Sequence, residues 1–299
     1  MLPHDRSHLL TVKNPWYTKI VLDFFAQELI HDGEDITTNI LGASAEKMVI
    51  ATITAKSSGI LAGKEEADIV LSHFFPGVGC DWGNNMDGKA LQKGDILCTF
   101  TGSAKEVLKL ERPLLNMLMR MSGIATQTNR FQNVSILPLA ATRKTLWGPL
   151  DKKAVSVGGG ITHRLGLFDA VLLKENHLAL LSAEEKIQNM LKKTPFAAFF
   201  EVEVETEEEF WKVYQIFQDA RMEMPKVIMF DNFSPGEIQR ITEKIPKDER
   251  FRDNIFWEAS GGITEKTLKE YERCGVDVLS LSALTMGGET VDLSLRIGA

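Results

Sequence analysis

The sequence predicts an α/β protein whose second half forms a parallel β-sheet with crossover helices. After about residue 135, short apolar runs alternate with stretches that carry apolar residues at helical spacing. This alternation is typical of parallel strands joined by helices, because a parallel connection needs a long crossover. The length of 299 residues is too great for one small core, so one large domain or two ordinary domains are expected.

The first 110 or so residues predict helix mixed with short strands. Residues 16–30 have apolar side chains at helical spacing, and residues 48–54 alternate and are rich in β-branched side chains, as in a strand. Two more short strands are expected at residues 60–63 and 96–100. Residues 114–131 are apolar at i, i+3 and i+4 and rich in methionine, which predicts a buried helix joining the two halves.

The second half predicts strands and helices in alternation. The expected strands cover residues 137–141, 170–173, 197–202, 226–230, 254–257 and 276–281. The expected helices between them cover residues 183–191, 207–220, 235–244 and 265–274. A strand followed by a helix is the repeating unit of a β/α barrel.

A polar side chain stands at or just after the end of each of these strands. The six residues, spaced by 22 to 30 positions, are Lys144, Lys174, Glu203, Asp231, Ser260 and Ser282. In a β/α barrel the carboxyl ends of the strands meet at one mouth, where catalytic groups lie. Strands often end in polar loops without a functional reason, but six such residues in phase favour a shared site.

Cationic side chains are grouped near the first strand ends: Arg143, Lys144, His163, Arg164 and Lys174. An arginine binds a carboxylate through two parallel hydrogen bonds, and a lysine supplies a mobile point charge for phosphate. Each residue alone could be a solvated surface charge. Together at one mouth they suit a substrate with several negative groups.

Acids and glycines complete the predicted site. Glu203 and Asp231 end neighbouring strands, and a magnesium ion on a phosphorylated substrate takes one or two such carboxylates, directly or through water. The alternative is a pair of structural acids that balance the lysines. Ser260, Gly261 and Gly262 precede the helix predicted from residue 265, so their N–H groups and the helix dipole would face an anion. The signatures of P-loop and Rossmann sites are absent from the sequence.

The composition argues against several classes of protein. A net charge of −7 disfavours nucleic acid as the main partner. The apolar stretches are too short to span a membrane, and the first 14 residues lack the apolar core of a secretory signal. The three cysteines are widely spaced and show no metal-ligand spacing, which suggests reduced thiols. A soluble cytoplasmic protein is therefore expected.

Ordered sequence blocks resemble the quinolinate phosphoribosyltransferase family, whose members are also called carboxylating nicotinate-nucleotide pyrophosphorylases. The blocks are ERPLLN…RMSGIAT at residues 111–126, TRKT at 142–145, GGG…HR at 158–164, KENH at 174–177, EVEV at 201–204, DNFSP at 231–235 and EASGGI at 258–263. The resemblance runs from about residue 35 to residue 297, and blocks in this order and density are specific for the family.

The resemblance implies an N-terminal open α/β sandwich domain over residues 1–125, joined by the C-terminal segment 288–299. It also implies an incomplete parallel β/α barrel over residues 126–287, and a homodimer or a multiple of dimers. The implied reaction joins quinolinate to phosphoribosyl pyrophosphate with Mg²⁺ present. It yields nicotinate mononucleotide, pyrophosphate and CO₂ for NAD biosynthesis.

The resemblance also implies roles for individual residues. The carboxylates of quinolinate would be held by Arg112, Arg143, His163 and Arg164, with Arg112 reaching in from the neighbouring subunit. The catalytic residues would be Lys144, Lys174, Glu203 and Asp231, the two acids serving Mg²⁺ and the ribose hydroxyls. The remaining substrate-binding residues would be Ser260, Gly261, Gly262 and Ser282, with the glycine loop on the ribose 5-phosphate.

Two departures from the family pattern leave alternatives open. The loop at 145–153 is about two residues shorter than usual and lacks a further arginine, while Ser282 and Met286 stand where the family has Gly and His. The alternatives are a paralogue that acts on another small carboxylate and a catalytically silent binding paralogue. A third is a barrel aldolase with Lys174 as a Schiff-base nucleophile. His177 is expected to be a structural hydrogen-bonding residue.

Overall fold

The structure is a computed structural model that describes residues 2–180, 187, 189–191, 196–220, 223–245 and 254–298. The chain forms two compact units. Unit 1 consists of Met1–Arg6, Arg130–Thr145 and Gly160–Met286, and unit 2 of Ser7–Asn129, Leu146–Gly159 and Gly287–Ala299. None of the helices in these described ranges combines the length and the apolar character that crossing a membrane requires.

The helices and strands are numbered in chain order. The helices are α1 (Pro15–Asp32), α2 (Ile36–Ile40), α3 (Lys64–Phe74), α4 (Ala104–Gln132), α5 (Pro149–Val157), α6 (Glu175–Ala179), α7 (Glu207–Asp219), α8 (Pro235–Thr242), α9 (Leu268–Tyr271) and α10 (Ala283–Met286). The strands are β1 (Met48–Ala55), β2 (Gly59–Ile60), β3 (Gly79–Asp81), β4 (Ala90–Leu91), β5 (Ile96–Ser103), β6 (Leu139–Ala141), β7 (Val171–Leu173), β8 (Phe200–Val204), β9 (Lys226–Asp231), β10 (Ile255–Ser260), β11 (Val278–Leu281) and β12 (Leu293–Ile297).

Unit 1 is built on a curled sheet of six parallel strands in the order β6-β11-β10-β9-β8-β7. Its strands are apolar and buried along most of their length, as expected where both faces of a parallel sheet are covered. Neighbouring strands are in register, so Ser260 of β10 lies beside Asp231 of β9. The sheet is a half-barrel, which confirms the predicted α/β class with an incomplete parallel barrel.

One predicted helix of unit 1 is shorter than expected, and another lies largely beyond the described residues. The helix expected at 265–274 is a single turn, α9, at Leu268–Tyr271. Thr264 and Thr267 bond to each other just before this turn. The helix expected at 183–191 falls mainly on residues outside the described ranges.

Unit 2 is built on an antiparallel sheet in the order β12-β1-β5-β3. Strand β1 alternates, with Ala51, Ile53 and Ala55 fully buried on one face. This alternation is the pattern that predicted a strand at 48–54. Helices α3 and α5 were not predicted, because each is short and carries several charged residues.

Helix α4 is longer than predicted. The sequence placed its start at residue 114, after Pro113, because a proline usually opens a helix rather than standing inside it. The helix instead begins at Ala104 and continues through Pro113. Its apolar stripe, which includes Val107, Leu110 and Leu114, is buried on both sides of the proline. Burial of this stripe offsets the one hydrogen bond that proline removes.

The loop at 145–153 is held within unit 2 from Leu146 onward. The buried Asp151 accepts hydrogen bonds from the backbone N–H groups of Leu146 and Trp147 at 3.1 Å each. It also accepts two hydrogen bonds from Arg120, at 2.8 and 2.7 Å, and the Arg120 guanidinium lies 5.0 Å from the centre of the Trp147 ring. Asp151 and Arg120 therefore fix the backbone at Leu146 and Trp147.

Candidate active site

A cavity of about 550 Å³ opens in unit 1. Eleven of the twelve residues predicted for the site line it: Arg143, Lys144, His163, Arg164, Lys174, Glu203, Asp231, Ser260, Gly261, Gly262 and Ser282. Arg112 is not among the lining residues, since it belongs to unit 2, where its side chain is exposed on α4. The sequence expected Arg112 ahead of the long helix, but α4 includes it.

The carboxyl ends of the parallel strands bring these residues together. Lys174 follows β7 directly, Glu203 is the penultimate residue of β8, and Asp231 ends β9. Ser260 ends β10 and Ser282 follows β11. Because parallel strands end at the same edge of a sheet, side chains that are 22 to 30 residues apart in sequence line one opening.

Four residues at or just after the ends of β7, β8 and β9 form what we call the mouth cluster: Lys174, Glu203, Glu205 and Asp231. Glu205 follows β8 and is exposed, while the other three line the cavity. Lys174 and Glu203 form a close ion pair. The carboxylates of Glu203, Glu205 and Asp231 each place an oxygen within 4.8 Å of the others. The charge of Glu175, and to a smaller extent that of Asp231, raises the pKa of Glu205, so these acids repel one another. An all-oxygen set of this kind fits Mg²⁺.

The cationic side of the cavity is formed by Arg143, Lys144 and Arg164. Burial, and then the nearby charge of Arg143, lowers the pKa of Arg164. One guanidinium nitrogen of Arg164 donates to the carbonyl of Ala170 at 3.2 Å, while its buried Nε has no hydrogen-bond partner within the described ranges. Two neighbouring arginines, one with an unused buried donor, suit a ligand with carboxylate groups.

The glycine loop after β10 has its own geometry. Gly261 and Gly262 adopt φ values of 89° and 65°, a region that favours glycine. A Cβ atom on Gly261 would lie 2.3 Å from the side-chain oxygen of Asn232, whose backbone N–H donates to Ser260 at 2.9 Å. The expected helix dipole behind this loop is wrong, because α9 is only one turn. What remains is an open backbone surface at Gly262, where a Cβ atom would meet nothing within 4 Å among the described residues.

The residues that depart from the family pattern lie beside Lys144. Thr285 donates a hydrogen bond from its hydroxyl to the backbone carbonyl of Lys144 at 2.6 Å. Its backbone, and that of Met286, bond back to Ser282, so the short helix α10 supports the Lys144 loop. Met286 is exposed and is not a lining residue, whereas Ser282 lines the cavity.

Beneath the mouth lies a second group, the floor cluster: His4, His163, Glu201 and Glu258. All four side chains are buried. Nε2 of His4 lies 2.9 Å from Glu258, and Nε2 of His163 lies 3.2 Å from Glu258 and 3.4 Å from Glu201. The His4 and His163 rings meet edge to face, with centroids 5.2 Å apart. His4 belongs to the N-terminal segment of unit 1.

Charge and burial compete strongly in the floor cluster. Burial lowers the pKa of His163, but the charges of Glu258 and Glu201 outweigh it and raise that pKa to about 9. Burial and the charge of Glu258 raise the pKa of Glu201. For Glu258, burial acts to raise the pKa, but the charge of His163 outweighs burial and leaves that pKa below its ordinary value. The two carboxylates therefore stabilise the protonated form of the His163 ring.

Both ring nitrogens of His163 face protein groups. Nε2 lies between Glu258 and Glu201, whose charges favour the protonated, cationic ring. The backbone nitrogen of Arg164 lies 2.7 Å from Nδ1. His163 therefore lines the cavity with a ring that protein groups hold in place.

The sequence reasoning did not assign Glu201, Glu205, Glu258, Asn232 or His4 to the site. Glu258 lies two positions before Ser260 on β10, so strand alternation could have identified it. Asn232, which has a φ of 59°, follows Asp231 and contacts the glycine loop. His4 had no sequence signal. His177 behaves as expected, since its Nδ1 accepts the backbone N–H of Lys174 at 3.1 Å.

The half-barrel, with a cavity lined by cationic and acidic side chains, defines a β/α-barrel protein. Two family profiles match the chain: the quinolinate phosphoribosyl transferase N-terminal domain over residues 35–122 and the C-terminal domain over residues 124–296. The second match alone covers more than half of the chain.

Individual proteins agree with the profiles. The chain is 40% identical over 277 residues to a probable carboxylating nicotinate-nucleotide pyrophosphorylase of Methanocaldococcus jannaschii, covering 88% of this chain and 91% of the relative. It is 34% identical over 291 residues to the similarly named protein of Bacillus subtilis, covering 93% of each. The solved nicotinate-nucleotide pyrophosphorylase of Francisella tularensis superposes with a TM-score of 0.80 at 28% identity, covering 94% of this chain and 96% of that one. The chain belongs to the quinolinate phosphoribosyltransferase family.

Proposed function

We propose that this protein transfers the phosphoribosyl group of phosphoribosyl pyrophosphate to quinolinate. The products are nicotinate mononucleotide, pyrophosphate and CO₂, in the biosynthesis of NAD. The observation that carries the proposal is one cavity that four cationic side chains line together with the strand-end acids. Both substrates are polyanions, and the relatives named above are carboxylating nicotinate-nucleotide pyrophosphorylases.

The cations divide between the two substrates by their chemistry. Arg143 and Arg164 suit the two carboxylates of quinolinate, because a guanidinium forms paired hydrogen bonds with a carboxylate. Lys144 and Lys174 suit the pyrophosphate and the carboxylate that is lost. The N–H groups at Gly261 and Gly262, together with Ser260 and Ser282, would hold the ribose phosphate.

The mouth cluster is our proposed site for Mg²⁺. Glu203, Glu205 and Asp231 would hold it, directly or through water, while keeping part of its hydration shell as this ion prefers. When bound there, Mg²⁺ would neutralise charge on the pyrophosphate leaving group. Lys174 already compensates Glu203, which keeps the three acids from standing unpaired at the mouth.

Catalysis would then consist of positioning and charge stabilisation. The cavity holds quinolinate beside the ribose carbon, and Lys174 with the strand-end acids stabilises charge that shifts as the bond to pyrophosphate breaks. The carboxylate beside the new ring bond leaves as CO₂, because the cationic ring nitrogen stabilises the carbanion. The ion pair between Lys174 and Glu203 disfavours the aldolase alternative, which needs an uncharged amine.

The test is release of labelled CO₂ from quinolinate by the purified protein. We expect release only when phosphoribosyl pyrophosphate and Mg²⁺ are both present, and no comparable turnover of nicotinate. Equal turnover in excess chelator would contradict the metal assignment. Turnover of another pyridine carboxylate in preference to quinolinate would support the paralogue alternative, and binding of both substrates without turnover would support the silent one.

We also propose that the protein is a homodimer, or a multiple of dimers, in which Arg112 serves the site of the neighbouring subunit. Its exposed position on α4 in unit 2 supports this. Arg112→Ala and Lys144→Ala homodimers should each be inactive. Random mixing of the two should restore about a quarter of wild-type activity, since about half the dimers are mixed and each has one intact site. No recovery, with subunit exchange confirmed by mass spectrometry, would contradict the shared site.

We also propose that the protein is cytoplasmic. Cys80, Cys98 and Cys274 are unpaired thiols in the structure. Reduced cysteines are typical of a cytoplasm-like environment.

A further inference from the structure

The N-terminal segment of unit 1 is attached to the loop that carries His163 and Arg164. The guanidinium of Arg6 donates to Asp169 from two nitrogens at 3.0 Å each, and the backbone N–H of Arg6 donates to Thr162 at 2.9 Å. The hydroxyl of Thr162 donates to the carbonyl of His4 at 3.3 Å. The N-terminal segment is therefore bonded to Thr162 and Asp169, the two ends of a loop that carries His163 and Arg164 of the cavity.

This attachment places His4 in the interior. Its side chain is fully buried, and its ring packs 5.0 Å from the ring of Phe199. Nε2 of His4 lies 2.9 Å from Glu258, within ion-pair distance but outside the geometry of a hydrogen bond. Glu258 thus faces two imidazoles, His4 on one side and His163 on the other. Removal of His4 would leave this carboxylate held by His163 alone.

The backbone at His163 needs such support. Its φ of 53° lies in the left-handed region, which is unfavourable for a non-glycine residue unless the surroundings hold it. The ring is held by Glu258 and Glu201 at Nε2 and by the Arg164 N–H at Nδ1. The direction of the Arg164 side chain follows from this arrangement, because the two residues are adjacent in the chain.

We propose that His4 is a positioning residue, which holds Glu258 so that Glu258 and Glu201 fix His163 and thereby aim Arg164 at the carboxylates of the substrate. This inference rests on the proposed function, since Arg164 is taken to bind quinolinate. The charged groups around His163 are Glu201, Glu258, His4 and Arg164, and beyond them Arg143 and Asp169, which face Arg164. His4 acts through Glu258 and contacts no substrate.

The kinetic test compares three variants of the full chain. His4→Leu fills the space without a donor, His4→Gln restores an N–H that can reach Glu258, and His8→Leu changes an exposed histidine four residues away. For His4→Leu we expect the KM for quinolinate to rise about ten- to a hundredfold, the scale of a small misplacement of a binding group. The KM for phosphoribosyl pyrophosphate should stay within about twofold, and His4→Gln should recover most of the loss.

Equal changes in both KM values, with no recovery in His4→Gln, would show a general loss of structure and would overturn the proposal. Wild-type kinetics in a folded His4→Leu protein would also overturn it. If His4→Leu does not fold, the comparison of His4→Gln with His4→Asn decides. The shorter amide cannot reach Glu258, so equal quinolinate KM values for these two would overturn the proposal.

A second readout does not depend on turnover, so it separates this inference from the proposed function. In protein with ¹⁵N-labelled histidine, the ring signal of His163 is identified by its loss in His163→Gln. We expect that signal to move in His4→Leu and to stay in place in His8→Leu. A wild-type protein that does not consume quinolinate would defeat the proposed function. Under that outcome, a moved signal would still support the link from His4 to His163, and an unmoved one would refute it.

Discussion

Glu201 and Glu203 lie two residues apart on β8 and, because side chains alternate along a strand, face the same side of the sheet. Glu201 belongs to the floor cluster, is fully buried and faces His163. Glu203 belongs to the mouth cluster and lines the cavity, where it pairs with Lys174; the side chains of Glu203 and Lys174 are 9% and 45% exposed. One step of a strand therefore separates a fully buried acid from an acid at the cavity that is paired with a partly exposed lysine.

The two environments give the acids different uses. A buried carboxylate must be compensated within the protein, and its removal leaves other buried groups unpaired. A carboxylate at the mouth can exchange a protein partner for a cation or a substrate hydroxyl at little cost. We therefore expect changes on the floor to reduce stability first and changes at the mouth to reduce activity first.

The largest effect is expected for the floor residue Glu258. Glu258→Ala should lower the free energy of unfolding by about 3–5 kcal/mol, the cost of breaking a buried ion pair by removing one partner. The measurement is urea unfolding followed by tryptophan fluorescence, to which the buried Trp257 contributes. Asp231→Ala at the mouth is the control and should change stability by less than about 1 kcal/mol. Equal losses of unfolding free energy in the two variants would contradict the expected difference in stability between the floor cluster and the mouth cluster.

Changes in the mouth cluster should instead lower the activity. Lys174→Met and Asp231→Asn should each lower kcat/KM by about 10²–10³-fold, the scale for losing one group that stabilises charge in the transition state. Unfolding curves should match the wild type. Lys212→Met is a matched control, because Lys212 forms an exposed ion pair with Glu208 at 2.8 Å. Near-normal kcat/KM in both mouth variants would remove the proposed catalytic role of these residues.

The sequence predicted the mouth better than the floor for a physical reason. Strand ends can be located from local apolar runs, and a barrel brings those ends together, so Lys174 and Asp231 could be assigned without coordinates. Glu258 sits one strand step below Ser260 and could have been found by extending the alternation inward. His4 is more than 150 residues from His163 in the chain and carries no periodic pattern, so only the fold connects the two.

Other misses follow from long-range packing. Helix α4 continues through Pro113 because its buried stripe outweighs one lost hydrogen bond, and sequence propensity cannot weigh that burial. Helix α9 covers only one turn, Leu268–Tyr271, of the helix predicted at residues 265–274. Both errors concern element boundaries, and only the second altered an inference about the site, namely the helix dipole behind Gly262.

Glu66 in unit 2 is another buried acid, and it differs from those of the floor cluster. Its close hydrogen-bond partner is the hydroxyl of Tyr17, at 2.7 Å, and not a cation. Burial raises the pKa of Glu66 from 4.5 to about 7. A raised pKa means that the folded state holds the proton more tightly than the unfolded state. Stability should therefore fall as pH rises from about 4.5 to about 7, by roughly 3 kcal/mol in total.

Glu66→Gln should remove that slope, so the variant should gain stability relative to the wild type between pH 5 and pH 7.5. Urea midpoints at the two pH values measure the effect. Glu258 should contribute with the opposite sign, since its lowered pKa stabilises the fold at neutral pH and that contribution is lost as pH falls. A parallel pH dependence for wild type and Glu66→Gln would show that Glu66 is ionised in the folded protein.

The smallest effect concerns the helix caps that follow the mouth acids. Thr206 comes directly after Glu205, and its hydroxyl accepts the N–H of Glu209 at 3.2 Å to begin α7. Ser234, three residues after Asp231, begins α8 in the same way. Both form capping boxes, because the N3 glutamate also accepts the N–H of the cap residue. These caps stabilise the loops that follow the acids. At the mouth we therefore expect Thr206 and Ser234 to contribute to stability and the acids to contribute to activity.

Thr206→Ala and Ser234→Ala should each therefore lower the free energy of unfolding by about 1 kcal/mol, the usual value of an N-cap. Thr206→Ser and Ser234→Thr keep a hydroxyl and should retain most of it. Because the mouth acids stay on their strands, kcat/KM should remain within about twofold of wild type, the reverse of the result expected for Asp231→Asn. A large loss of activity at unchanged stability in either alanine variant would mean that the loop after the strand, and not the strand end itself, sets the geometry of the mouth.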